Sequence, residues 1–151
     1  LLAKFPGLVV LHAGDGPERD RIEKALADRQ LGRRFRFLGR RADTYTLMRI
    51  ASVVCLTSEF EGTPNVLLES QYLRTPVVAF SVGGVPEAVA IGESGFVLAD
   101  GDNAGWLDAC AHLLADDALR ARMGEAGRKF VSDAFSVEAS CRKLIETMGI
   151  A

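Results

Sequence analysis

The sequence predicts an α/β fold, a doubly wound parallel sheet followed by a helical C-terminal tail. Short apolar runs alternate with longer helical patterns, and strand–helix alternation of this kind builds a parallel sheet with crossover helices. Most of those runs are continuous rather than alternating, which suits strands covered on both faces. Helix starts are marked as well. Pro17, Pro64 and Pro86 each suit a first helical position, where the missing N–H costs nothing.

Taken in order, the first strand is expected over 8–13 (LVVLHA), with a helix over 17–30. A second strand over 35–38 (FRFL) leads to a helix over 43–50, and a third over 53–57 (VVCLT) leads to a helix over 64–73. The run at 77–80 (VVAF) is the fourth strand, followed by a short helix at 86–90, and 96–98 (FVL) is the fifth. Helices over 103–115, 117–130 and 137–148 complete the chain as its tail. There is no internal repeat, low-complexity segment or linker, so residues 1–151 are expected to form one domain.

Composition narrows the function. With 48% hydrophobic and 25% charged residues, the chain has the profile of an ordinary globular domain. Its formal net charge of −2 argues against nucleic acid as a partner, because phosphate backbones demand a basic excess. No apolar stretch approaches the roughly 18 residues of a membrane span, and the start lacks the pattern of a signal peptide. Cys55, Cys110 and Cys141 are odd in number and far apart, which fits neither a disulfide framework nor a metal site. A cytoplasmic location is the expectation.

In doubly wound sheets, ligands bind outside the carboxyl ends of the strands, where loops enter helices. The loops to inspect are therefore 14–17, 39–43, 58–64 and 81–86. The most informative is Ser58-Glu59-Phe60-Glu61-Gly62-Thr63-Pro64-Asn65-Val66-Leu67-Leu68-Glu69, which leaves a strand and enters a helix near Pro64. Free N–H groups at a helix start attract an anionic group. Glu69 lies roughly 7.5 Å further along the axis, with Val66, Tyr72 and Leu73 as wheel neighbours. A carboxylate in such surroundings needs a partner that offsets its desolvation. A ribose diol would serve, giving a nucleoside diphosphate with its phosphates at the helix start and its ribose along the side. An arginine partner, or a capping role for Glu69, would serve equally.

The same residues resemble a known family. Glu61 and Glu69 match the Glu-x7-Glu signature of retaining GT-B glycosyltransferases, and the surroundings resemble the large family-4 group. GDGPERDRIE (14–23), FLGR (37–40), TPVVAFSVGGVPEAV (75–89), ESGFVL (93–98) and FS (135–136) occur in the family's order, across almost the whole chain. The resemblance implies the Rossmann-like C-terminal half of such an enzyme, moving a sugar from a UDP- or GDP-sugar with retention, in carbohydrate biosynthesis. It implies that Glu69 holds the ribose and that Glu61, as the catalytic residue, contacts the donor sugar. Gly62 and the backbone across Thr63, Pro64, Asn65 and Val66 would meet the sugar and diphosphate. The base would lie near Arg40, Arg41 and Asp43, and Gly14, Gly83 and Gly84 would line the donor site. No metal or other cofactor is expected beyond the donor itself.

By the same resemblance, the chain begins after the family's first strand, so that strand is expected to be missing. The Arg and Lys that follow it and clamp the diphosphate would be absent too. The acceptor-binding N-terminal Rossmann domain would be a missing partner, and any attachment to the cytoplasmic face of a membrane would run through it. The fragment alone is then expected to bind donor poorly and transfer nothing. A non-catalytic nucleotide-binding or interaction module of the same fold, or a sugar-nucleotide epimerase, is the alternative.

The remaining candidates have plain readings. His12, inside an apolar strand, reads as a core histidine and His112 as structural or solvated. Arg33, Arg34 and Arg36 read as a solvated turn and strand face, whereas Arg40 and Arg41 stand at a strand's carboxyl end. Gly83 and Gly84 suit either a close approach of backbone to sugar or a turn needing positive φ. Cys55 reads as a small core hydrophobe, and Trp106 as a packing anchor.

Overall fold

The computed structural model describes residues 1–149; the last two residues of the 1–151 domain lie outside them. The chain folds as two units, Leu1–Thr44 and Tyr45–Ala151. All strand ladders are parallel, so the expected α/β class is the observed one.

In the first unit, β1 (Val10–Ala13) is followed by α1 (Arg19–Asp28) and β2 (Phe35–Gly39), and β1 pairs with β2. The strand expected at 8–13 starts two residues late because Leu8 is spent elsewhere. Its N–H donates to Phe5 O at 3.0 Å, and its carbonyl accepts from Arg34 Nε at 3.2 Å. Arg34 is thus no solvated turn residue. Its guanidinium also reaches Leu2 O at 2.9 Å and Phe5 O at 2.5 Å, tying the first eight residues to the start of β2. Pro17 lies outside α1, whose N-cap is Glu18. Leu11, His12 and Ala13 are exposed, contrary to the expectation of a strand covered on both faces. A two-stranded sheet covers its members far less than a central position does. His12 is therefore not a core histidine; it lies against Phe37, with ring centroids 5.1 Å apart.

The second unit, which takes in all but the first residue of α2, runs through α2 (Thr44–Ile50), β3 (Val54–Leu56), α3 (Asn65–Tyr72), β4 (Val77–Phe80) and β5 (Gly95–Leu98). It ends in α4 (Asn103–Ala115), α5 (Asp117–Ala134) and α6 (Val137–Met148). Its sheet has the order β3-β4-β5. The central strand β4 is the one that meets the both-faces expectation, with Val77, Val78 and Ala79 fully buried. Leu67 of α3 packs with Val77, Ala79, Val85 and Val89 to form the core beneath the loops.

The tail helices begin where the sequence puts them, because each has a side-chain cap. Asp102 accepts from Gly105 N at 2.9 Å, Asp116 from Leu119 N at 2.8 Å and Ser136 from Ala139 N at 3.1 Å. With no breaker before Ser136, α5 continues to Ala134 rather than stopping at 130.

The helix expected at 86–90 is replaced by turns. Five residues give barely one helical turn, which does not nucleate unaided. Here the carbonyls have other partners. Ala88 O accepts from Gln71 Nε2 at 2.7 Å, and Ala90 O from Ser94 N at 2.8 Å. Gln71 and Ser94 are fully buried and bonded to each other at 2.6 Å, so the polar residues scattered around α3 include an internal anchor. This network fixes α3 against the segment leading to β5. No helix among the described residues is long and apolar enough to cross a membrane.

Candidate functional site

In the second unit, the loop from β3 brings Glu61 to the start of α3, and Glu69 follows one face further along. Pro64 is the N-cap rather than the first helical residue, with φ −75° and ψ 92°, and it is buried. It has no N–H, and its carbonyl accepts from Leu67 N at 3.0 Å. The N–H groups of Thr63, Asn65 and Val66 make no hydrogen bond among the described residues. Three free donors thus stand at the positive end of an eight-residue helix, an arrangement suited to an anion.

Glu69 is half-buried. Its partner is neither an arginine nor a helix end: Tyr45 Oη, on the exposed side of α2, donates to Glu69 Oε1 at 3.3 Å. Among the described residues of the second unit no cation pairs with this carboxylate; the ion pair near α3's C-terminal end joins Arg74 to Glu125. A long bond from a neutral hydroxyl leaves the carboxylate with accepting capacity to spare. Tyr45 was not legible as a site residue, because it lies 24 positions from Glu69 with no local motif to mark it. Glu61 is half-buried as well, without a side-chain partner among the described residues of the second unit, while Gly62, Thr63 and Asn65 are exposed.

Gly83 meets one of the two expectations, a turn that needs positive φ, and both glycines also allow a close backbone contact of another kind. Gly83 has φ +49°, and a Cβ there would lie 1.8 Å from Glu61 O. A Cβ on Gly84 would lie 2.3 Å from Gly62 O. Gly84 N donates to Gly62 O at 3.1 Å and, more weakly, to Glu61 O at 3.4 Å. The backbone that approaches this turn closely is therefore the Glu61–Thr63 loop itself. The pair of glycines forms a clamp on the backbone of Glu61 and Gly62, in the loop ahead of α3.

In the first unit, Gly14, Arg40 and Arg41 fall at strand ends as expected. Gly14 N is already engaged, donating to Gly39 O at 2.8 Å. Gly14 lines a hollow of about 230 Å³ with His12, Asp15, Gly16, Arg19 and Phe37. Arg41 is held by Asp43 through two bonds of 2.8 and 2.7 Å. That pairing raises the guanidinium's pKa and lowers the carboxyl's, chiefly through the hydrogen bonds themselves. Arg40 is exposed and makes no ion pair within the unit, so of the two it is the free cation.

Trp106 packs against Phe80 with centroids 6.2 Å apart, as a packing anchor should. Cys55 is exposed rather than a core residue, and its sulfur meets that of Cys110. No group of three or more His, Cys, Asp or Glu is placed to hold a metal among the described residues.

Comparison with known proteins gives a consistent result. The family described as glycosyl transferases group 1 matches residues 1–130. The lipopolysaccharide core biosynthesis glycosyltransferase LpsE of Rhizobium meliloti is 35% identical over 138 residues, covering 91% of this chain and 41% of LpsE. Anabaena HepE, solved in complex with UDP, is 27% identical with a TM-score of 0.86, covering 99% of this chain and 43% of HepE. The C-terminal domain of the group 1 protein LpcC from Francisella tularensis shares the fold at 22% identity and a TM-score of 0.80, covering 90% of this chain and 74% of that domain. The chain thus spans about two-fifths of LpsE and of HepE, and its parallel α/β fold is that of a GT-B C-terminal domain. This chain belongs to the group 1 glycosyltransferase family.

Proposed function

We propose that the chain is the donor-binding domain of a retaining glycosyltransferase that moves a hexosyl unit from a UDP- or GDP-sugar to an acceptor. One observation carries the proposal. Three unbonded N–H groups, on Thr63, Asn65 and Val66, open α3, and Glu69 lies along the same helix with a single neutral partner. The diphosphate would take the N–H groups, and the ribose diol would take Glu69. Glu61, on the loop just ahead, would contact hydroxyls of the transferred sugar. HepE's complex with UDP supports a nucleotide ligand for this fold.

The chemistry follows from where charge grows. As the bond to the anomeric carbon breaks, negative charge accumulates on the departing diphosphate. Donors fixed by α3 meet that charge without reorganising, and the helix dipole adds to them. The Gln71–Ser94 anchor and the Gly83–Gly84 clamp keep the donors in place from either side. No metal or further cofactor enters the proposal, and the domain by itself is proposed to be inactive in transfer.

Calorimetry on the whole protein tests the reading. UDP or GDP should bind, and Glu69→Ala should weaken that binding by about 1.5–3 kcal/mol, roughly 10- to 150-fold, the scale of hydrogen bonds to a charged group. Unchanged affinity would remove Glu69 from the site.

A further inference from the structure

We infer that Cys55 and Cys110 form an oxidation-sensitive dithiol that closes into a reversible disulfide, pinning β3 to α4. The two sulfurs stand 3.8 Å apart although their residues are 55 positions apart in sequence. Cys55 is exposed on β3, and Cys110 is buried on α4. A small oxidant reaches the pair from the Cys55 side, because Cys110 is the buried residue of the two. Forming the bond requires the sulfurs to close by about 1.8 Å, to the usual S–S length near 2.05 Å. Side-chain rotation with a small shift of the one-ladder strand β3 covers that distance.

The oxidant is a peroxide. The Cys55 sulfur attacks an oxygen of hydrogen peroxide, an S–O bond forms, the O–O bond breaks, and hydroxide leaves with the thiol proton as water. The Cys110 sulfur then attacks the Cys55 sulfur. The S–S bond forms, the S–O bond breaks, and the second hydroxide leaves with the Cys110 proton as water. Two thiols lose two electrons and two protons, and one peroxide becomes two waters. The contact between the thiols favours the second step over the first. The hydrogen bond from Cys55 draws the pKa of Cys110 down, which favours it as the attacking sulfur of the second step. The same bond holds the pKa of Cys55 up, making the first step the slow one.

Two residues after Cys55 the chain enters the loop that carries Glu61. A disulfide that draws β3 toward α4 would shift that loop and lower donor affinity. This consequence rests on the function proposed above; the bond itself does not.

The test uses the whole protein, treated with millimolar hydrogen peroxide, digested with trypsin without reduction and read by mass spectrometry. The expected product joins the peptides 50–74 and 75–120, two hydrogens lighter than their sum, and dithiothreitol separates them. Cys55→Ser and Cys110→Ala should each abolish it, and Cys141→Ser should leave it intact. A protein in which Cys55 proceeds to sulfinic acid while Cys110 remains a free thiol would overturn the inference. So would a bond from either cysteine to Cys141 in place of the 55–110 link. If the link forms but UDP affinity is unchanged, the dithiol stands and only its effect on the donor loop fails.

Discussion

Gly83→Ala should destabilise the second unit by about 2–5 kcal/mol, whereas Gly62→Ala, next to the Glu61 carbonyl that the methyl at 83 would strike, should cost under about 1 kcal/mol. Two costs add at Gly83. A left-handed backbone at φ +49° strains any residue with a Cβ by about 1–2 kcal/mol. The new methyl would also sit 1.8 Å from Glu61 O, an overlap with backbone that no rotamer can relieve, worth about 1–3 kcal/mol more. Gly62 has no heavy atom within 4 Å of its added Cβ and no positive φ. Urea unfolding of the two variants separates them by midpoint at constant slope. Equal midpoints would show that the turn at 83–84 does not hold the loop at Glu61. Because that loop leads into α3, nucleotide affinity should fall along with stability in Gly83→Ala.

Glu61→Gln should act the other way, lowering turnover about 100-fold while leaving the affinity for bare nucleotide within a few-fold. A factor of 100 corresponds to about 2.7 kcal/mol of lost transition-state stabilisation. The split follows from the placement of Glu61 on the loop rather than on the helix. It is half-buried, without a side-chain partner in its unit, and offset from the N–H groups proposed to hold the diphosphate. Glutamine keeps the shape and removes the charge, so contacts to the reacting sugar weaken most as positive charge develops on the ring. Steady-state kinetics and nucleotide titration on the whole protein read the two effects separately. A loss confined to nucleotide binding would assign Glu61 to the nucleotide and not to the sugar.

What the sequence revealed and what it hid divide along physical lines. Strand and helix order was legible because it rests on local signals: the apolar runs at 77–80 and 35–38, and the helical patterns over 103–115 and 137–148. The loop-to-helix passage from Glu61 to Glu69 was legible for the same reason, since spacing along one helix is a local property. Errors arose where distant groups claimed a backbone polar atom. The turn at 86–90 yields its Ala88 carbonyl to Gln71, 17 positions away, and Leu8 yields its carbonyl to Arg34, 26 positions away. Tyr45 beside Glu69 and Cys55 beside Cys110 are likewise products of packing, with nothing in either neighbourhood to announce them. Burial of β1 was misjudged because an apolar run reports a strand's own character, not the number of neighbours it finds.

The central claim is that α3 presents its free N–H groups to the diphosphate and Glu69 to the ribose. Amide resonances of the whole protein, followed by NMR during titration with UDP and with GDP, test it most directly. The account predicts the largest shifts at Thr63, Asn65 and Val66, saturating together with Glu69, and a collapse of all four in Glu69→Ala at the same nucleotide concentration. Saturable shifts that leave Thr63, Asn65 and Val66 unmoved and cluster elsewhere would contradict it.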